Sequence, residues 1–255
     1  MEQYTVHSLD RAIQLLELLS MHPEGLTLSI LSESAGLNKS TAYRLLAALN
    51  SHGYVLKDAR TNTYYLSLKL YELGCRAIHS QGYLAAIQPI LSELACAANE
   101  AVHFVLREDN TVVYLCKEDA SQGVVQMGSR IGLRNPMYCT GVGKAILAYL
   151  PEEEQKRIAK QTEYHVFTPN TCQTPDELLR ELALTRRRGY SIDNEEHEVG
   201  ISCIAVPICN HYGIAYSAIS ISAPTSRILN GRTEQLAQML LQTAARVAGM
   251  LNGQQ

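Results

Sequence analysis

The chain has 255 residues, enough to bury a sizeable core in one or two domains. With 46% hydrophobic and 18% charged residues it is neither disordered nor fibrous, and a net charge of −3 excludes a protein that coats nucleic acid indiscriminately. No apolar run reaches the roughly 18 residues of a membrane helix, and MEQYTVHSLDRA lacks the basic and apolar regions of a secretory leader. Seven cysteines, odd in number and without CxxC spacing, point to free thiols in a reducing cytoplasm. Cys75, Cys96, Cys116 and Cys139 sit in apolar patterns and are expected to pack as small core hydrophobes.

In chain order, Ser8 is expected to cap a first helix with Asp10 in its first turn. Ile13, Leu16 and Leu19, widened by Leu15 and Leu18, form its stripe, and His22-Pro23-Glu24-Gly25 ends it. A second short helix spans about 27–35, with Leu28, Leu31 and Ala35 on one side and Gly36 as the left-handed residue closing it. A third starts from an Asn38 cap, buries Ala42, Leu45, Leu46 and Leu49, and stops at Gly53. YVLKD, the turn ARTN and TYYLSL read as a two-stranded hairpin. Two helices joined by a tight glycine turn, with a helix before and a hairpin after, make a winged helix-turn-helix.

Charge sharpens that reading. Residues 1–35 carry Arg11 against Glu2, Asp10, Glu17, Glu24 and Glu33, whereas residues 36–65 carry Lys39, Arg44, Lys57 and Arg60 against Asp58 alone. A positive patch on so short a segment is the footprint of a small DNA-binding surface. With the apolar side of the third helix buried, its other face presents Lys39, Ser40, Tyr43 and Arg44, with Thr41 at the edge and the Asn38 cap in front. A donor-rich first turn of this kind suits a major groove. Lys39 opposes the helix dipole by a fraction of ~1 kcal/mol, which counterion release at phosphates offsets. A protein-interaction module with merely solvated bases is the alternative, and Lys57 and Arg60 on the wing argue against it.

SLKLYELGCRAIHSQ returns to helical spacing at Leu68, Tyr71, Cys75 and Ile78. That stripe suits a connector that packs on a partner subunit, or simple packing against its own winged domain. The expected divisions are therefore 1–66, a winged domain; 67–82, a linker and dimerisation helix; and 83–255, a second domain.

The second domain reads as α+β. Its expected elements are a helix from Pro89 at N1 to Ala98, strands VHFVLR and TVVYLCK, a helix from Gly141 to Leu150 and another from Glu152. Thr174-Pro175-Asp176-Glu177 is a capping box opening a helix that ends at Arg186-Arg187-Arg188 and Gly189. Those arginines complement the helix dipole and are read as structural charge. Strands follow near 190–193, 201–208 and 214–222, then a last helix bearing Leu236, Met239, Leu240, Ala244, Val247 and Leu251. Hairpin strands interrupted by helices imply an antiparallel sheet with helices on its faces.

Several residues carry possible chemistry. Thr140 is a natural cap for the helix entered by Gly141-Val142-Gly143-Lys144, whose bare N–H groups suit a small carboxylate. A nucleotide phosphate loop would need glycine where Tyr138 stands and Ser or Thr where Ala145 stands, so none is here. Ser220 and Ser222 share one side of an apolar strand, Cys203 and Ala205 one side of another, and Asp193 ends YSID as an acceptor for ligand hydroxyls. Ser220 and Ser222 meet a polar ligand or are satisfied by neighbours. A hydrolase using Cys203 with His197 and Asp193 lacks any specified oxyanion arrangement, and His197, Cys203, Cys209 and His211 fit no zinc spacing. No catalytic residue, cofactor or metal is expected.

SLDRAIQLLELL, GLNKSTAYRLLAALNSHGYV and YYLSLKLYELG resemble the winged-helix half of IclR-family transcriptional regulators. RIGLRNPMYCTGVGKAILAYL, TRRRGYSIDNEEHEVGISCIAVPI and YSAISISAPTSRI resemble that family's effector-binding half. The resemblance covers nearly the whole chain. It implies an α+β protein with a winged helix-turn-helix, a linker helix and a GAF/PAS-like antiparallel sheet flanked by helices. It further implies a cytoplasmic homodimer or dimer of dimers on palindromic double-stranded operator DNA, expected to repress a sugar-acid catabolic operon in response to a small hydroxy or keto acid. The family's effector contacts match Met127, Asn135, Gly141, Val142, Asp193, Cys203, Ser220 and Ser222, and Asn135 hints at extra ligand hydroxyls. DNA recognition would fall to Asn38, Lys39, Ser40, Thr41, Tyr43 and Arg44, with Lys57 and Arg60 on the wing.

Overall fold

The computed structural model describes residues 6–79, 84–120 and 128–252. The chain divides into two compact units, 1–81 and 82–255.

The first unit runs α1 (His7–Ser20), β1 (Leu26–Thr27), α2 (Leu28–Ser34), α3 (Lys39–Ser51), β2 (Val55–Lys57), β3 (Thr63–Leu66) and α4 (Leu68–His79). Leu15, Leu19, Leu31, Leu46 and Val55 close its core, each contributing about 1.5–3 kcal/mol by burial. Helix α2 ends in a left-handed turn: Gly36 has φ +62°, and Leu37 N–H reaches back to the Ser32 carbonyl at 2.8 Å. That turn lets α3 start within a few residues. Asn38 then caps α3, its Oδ1 accepting from Thr41 N–H at 2.8 Å and from the Ser40 hydroxyl at 2.9 Å.

Three expectations need correction here. Helix α1 begins before Ser8; Val6 holds the cap position and its carbonyl accepts from Leu9 and Asp10 N–H, so Ser8 lies within the first turn. Ile13 is 44% exposed, because the buried edge of α1 is set by Leu15 and Leu19. The hairpin also gains a third strand, Leu26–Thr27 pairing antiparallel with Tyr64 and Thr63, too short to show any alternation in sequence.

The second unit contains α5 (Leu84–Ala98), β4 (Ala101–Glu108), β5 (Thr111–Glu118), β6 (Arg134–Pro136), α6 (Gly141–Leu147), α7 (Glu152–Gln161), α8 (Pro175–Arg188), β7 (Ser191–Asn194), β8 (Ile201–Cys209), β9 (Ala215–Pro224), α9 (Thr225–Ile228) and α10 (Thr233–Asn252). Six strands form one antiparallel sheet in the order β6-β5-β4-β9-β8-β7. Period-two alternation sorts its side chains. Phe104, Ile204, Val206, Ile219 and Ile221 pack under α5 and α10. Val105, Ala205 and Ala218 meet α6 and α8 on the opposite face.

Pro89 lies inside α5 rather than at its start, since the helix begins at Leu84. The helix from Gly141 ends at Leu147, and β6 and α9, each three or four residues long, were not legible by periodicity. Cys116 and Cys139 are buried as expected, but Cys96 is exposed on the outer side of α5. Two of the terminal arginines of α8 have structural partners. Arg186 donates to the Ala148 carbonyl at 3.1 Å and stacks on Tyr149, and Arg188 donates to Glu181 at 2.7 Å.

Candidate DNA interface and effector cavity

On α3 the core takes Ala42 and Leu46, and the opposite side leaves Lys39, Ser40, Tyr43, Arg44 and Ala47 in solvent. Tyr43 is 54% exposed although aromatic. The cap engages only Asn38 Oδ1 and the Thr41 backbone N–H, so the donors of this tip are the Lys39, Tyr43 and Arg44 side chains with the Asn38 amide and Thr41 hydroxyl, joined by Ser40 once its hydroxyl turns away from Asn38. The wing turn is rigidified by Asp58, whose Oδ1 accepts from Arg60 N–H at 2.7 Å and Thr61 N–H at 3.3 Å. Lys57 and Arg60 are both exposed. Among the described residues none of Lys39, Arg44, Lys57 and Arg60 is paired with a carboxylate. Four unspent cations on one small unit make a surface ready to neutralise phosphates.

In the second unit, strand register gathers polar side chains on the α6 face of the sheet. Asp193, Cys203 and Ser222 are directly paired across β7, β8 and β9, and His103 is paired with Ser220 across β4 and β9. They face a cavity of about 110 Å³ whose lining includes His103, Tyr114, Asn135, Asp193, Cys203 and Ser222. Asn135, Asp193, Cys203 and Ser222 of the expected set therefore share one wall system. Ser220, 2% exposed, lies directly beneath it, with its hydroxyl 3.5 Å from His103 Nδ1. Gly141 and Val142 lie behind Asp193 rather than in the lining, and Met127 is outside the described residues.

The approach of α6 explains its glycines. A Cβ on Gly143 would overlap the Met137 backbone, and one on Gly141 would stand 3.3 Å from Cys203 Cβ. Thr140 caps the helix, accepting from Gly143 N–H at 3.3 Å. The Gly141 N–H, read from the sequence as a binder for a ligand carboxylate, here lies beside Asp193, whose charged form it favours. Asp193 Oδ1 also accepts from Glu196 N–H at 2.8 Å. Burial first, and then the neighbouring Glu196 carboxylate, lift Asp193 from 3.8 to about 7.

Behind this wall Lys144 is fully buried, donating to the Ile192 carbonyl at 2.6 Å and to the Glu196 carboxylate. Burial opposes its charge, but Glu196 and Asp193 outweigh that and hold its pKa above the ordinary lysine value. Sequence reasoning passed over Lys144 as part of a phosphate-loop test and missed His103 altogether, since a single histidine in VHFVLR carries no spacing signal. His103 Nε2 meets the Ser129 hydroxyl at 2.9 Å, its ring stands edge-on to Tyr114 at 5.4 Å, and burial, aided by Lys117, pushes its pKa to about 3. It is a neutral imidazole on the cavity floor.

The hydrolase reading fails on chemistry. Burial, then Asp193, raise the Cys203 thiol far above its ordinary pKa, the reverse of what activates a nucleophile. Its close partner is the Ser222 hydroxyl at 3.0 Å rather than a base. His197 packs on Phe167 at 4.8 Å. Among the described residues no three His, Cys, Asp or Glu side chains converge as a metal site.

Known proteins match both units. Residues 8–59 match the IclR helix-turn-helix domain, and residues 75–248 match the bacterial transcriptional regulator IclR C-terminal model. The HTH-type transcriptional regulator KdgR of Dickeya chrysanthemi is 38% identical over 216 residues, 85% of this chain and 70% of that protein. The DNA-binding transcriptional repressor YiaJ of Escherichia coli K12 is 36% identical over 246 residues, 96% of this chain and 87% of that one. An IclR homologue from Microbacterium hydrocarbonoxydans, solved in complex with 4-hydroxybenzoate, has the same fold, with a TM-score of 0.83 and 23% identity over 96% of this chain and 99% of its own. With both units matched in order across most of its length, the chain belongs to the IclR family of DNA-binding transcriptional regulators and is not an enzyme.

Proposed function

We propose that this regulator represses a carbohydrate or sugar-acid catabolic operon from the cytoplasm, and that a small hydroxy or keto acid in the second unit modulates its grip on the operator. The exposed α3 tip with the wing cations supports the DNA half of this reading. Lys39, Ser40, Tyr43 and Arg44 enter the major groove, Asn38 and Thr41 hold the tip in shape, and Lys57 and Arg60 touch the backbone. The cavity whose walls are hydroxyl, amide, imidazole and carboxyl supports the other half. Asn135, Asp193, Cys203 and Ser222 meet the effector, with Gly141, Val142 and Ser220 forming the layer that positions them and Met127 assigned by sequence alone. The acid bound by the Microbacterium homologue carries both a carboxyl and a hydroxyl, the chemistry that such a lining accommodates. The effector acts by binding the operator-competent and operator-free states unequally, since equal binding shifts nothing.

The observation that carries the DNA reading is the set of four cations without a carboxylate partner, two on the exposed α3 tip and two on the wing. Fluorescence anisotropy with DNA from upstream of the gene, at stepped salt, tests it. Arg44→Ala is expected to cost about 1–3 kcal/mol if Arg44 reads a base edge, and to lower the salt slope by about one if it holds a phosphate. Equal affinity for upstream and random duplex at every salt concentration refutes the reading. A thermal-shift screen of keto and hydroxy acids tests the cavity, and Ser222→Ala should remove the shift of any acid that binds there.

A further inference from the structure

The cavity holds an unusual charge balance for a site that accepts an acid. Its described lining includes Asp193 and Glu198 but no lysine or arginine. Lys144, the cation just behind the wall, is 0% exposed and already committed to Glu196 and the Ile192 carbonyl. The start of α6 lies against the protein's own Asp193, whose Cβ is 3.5 Å from where a Cβ on Gly141 would stand. An effector carboxylate seated on the Asp193 wall of a space of about 110 Å³ meets the Asp193 carboxyl, with no lysine or arginine in the described walls to screen it. Two carboxylates held together beside a buried group do not both stay ionised; one keeps a proton.

We infer that the effector's carboxyl group and Asp193 share one proton, so that a small acid is bound together with H⁺ from solvent and Asp193 selects for it on that basis. This rests on the reading of the cavity as an acid-binding site. The groups facing Asp193 agree with it. On its own segment stand Glu196, then His197 and Glu198 at the cavity, none of which supplies an unspent positive charge: Glu196 is paired with Lys144, and burial pushes the His197 pKa down. From β8 and β5 come Cys203 and Tyr114, both held neutral by burial, and from the segment before α6 comes Cys139, likewise neutral. Asp193 itself, 4% exposed and lifted to about 7, is the group closest to exchanging a proton near neutrality. No covalent bond changes. The proton ends between two carboxyl oxygens, and the pair then carries a single negative charge that the Glu196 N–H continues to hold.

The test is titration calorimetry of the full-length protein with pyruvate, glycerate and D-gluconate, between about pH 6 and pH 8.5, in phosphate and in Tris, whose protonation enthalpies differ widely. The expected result is net uptake approaching one proton on the alkaline side, with affinity falling close to tenfold per pH unit there. Asp193→Asn, a neutral isostere whose Oδ1 still accepts from Glu196 N–H, should bind with little pH dependence and no proton uptake. Binding of an acid with equal heats in the two buffers and a flat pH profile overturns this inference and leaves the effector cavity standing. If none of the acids binds at any pH, the acid-effector reading falls and the inference with it. Should Asp193→Asn lose its fold by circular dichroism, the two-buffer comparison on the wild-type protein decides alone.

Discussion

Asp193 and His103 share the floor of one cavity and titrate in opposite senses. Asp193 is raised from 3.8 to about 7 on folding, so the native state binds the extra proton, and stability falls as pH rises through that window. His103 is lowered from 6.5 to about 3, so the unfolded state binds the extra proton, and stability falls as pH drops through that window. Between about pH 4 and 6.5 the two slopes oppose each other, and the wild-type profile there should be shallow. Single substitutions separate them. Relative to wild type, Asp193→Asn should gain stability as pH rises from about 4 to 7, and His103→Gln should gain as pH falls below about 6.5, each by up to ~1.4 kcal/mol per pH unit. Urea melts at stepped pH measure both, and two variants that merely parallel the wild type would sink the assignment. Of these two residues Asp193 could be singled out beforehand, because a carboxylate closing an apolar strand is conspicuous. His103 could not, because its role depends on which strands β4 lies between.

Helix starts show how local chemistry and packing divide the work. The α3 cap is wholly local: Asn38→Ala removes the acceptor for Thr41 N–H and should cost about 1 kcal/mol in a denaturant melt. The α6 start is different. Thr140 caps it locally, but its glycines answer to a distant surface, and Gly143→Ala drives a methyl group into the Met137 backbone. At least about 2 kcal/mol of stability should be lost there, whereas the same change at solvent-facing Gly249 of α10, which has open space, should be neutral or stabilising. A glycine read from sequence as bare N–H groups for a ligand thus also serves close packing. Long periodic helices such as α8 and α10 were legible to within a residue or a few. Leu26–Thr27, Arg134–Pro136 and Thr225–Ile228 were not, because two to four residues cannot display a period and their pairing is decided elsewhere in the chain.

At the scale of the whole molecule, α4 presents Leu68 at 79% exposure, so the start of its predicted stripe lies mostly in solvent. Cys75 and Ile78, the other half, have side chains outside what the structure describes. On the proposal that this face joins two subunits, Leu68→Asp should shift sedimentation velocity toward a smaller species without changing the far-ultraviolet spectrum. An unchanged sedimentation coefficient would assign the assembly to another surface. If the operator is palindromic, as proposed, two winged domains must be paired through some such interface.

By itself the sequence determined what depends on neighbours along the chain: the caps, the amphipathic helices, the asymmetry of charge around α3, and through them the winged helix and the family. Only the tertiary structure decided which polar groups share a cavity, that Lys144 is spent on Glu196, and that Asp193 packs against the start of α6. The reason is that side-chain periodicity sets which face a residue occupies. Strand order and register, fixed by contacts between residues up to ~120 positions apart, set what that face meets.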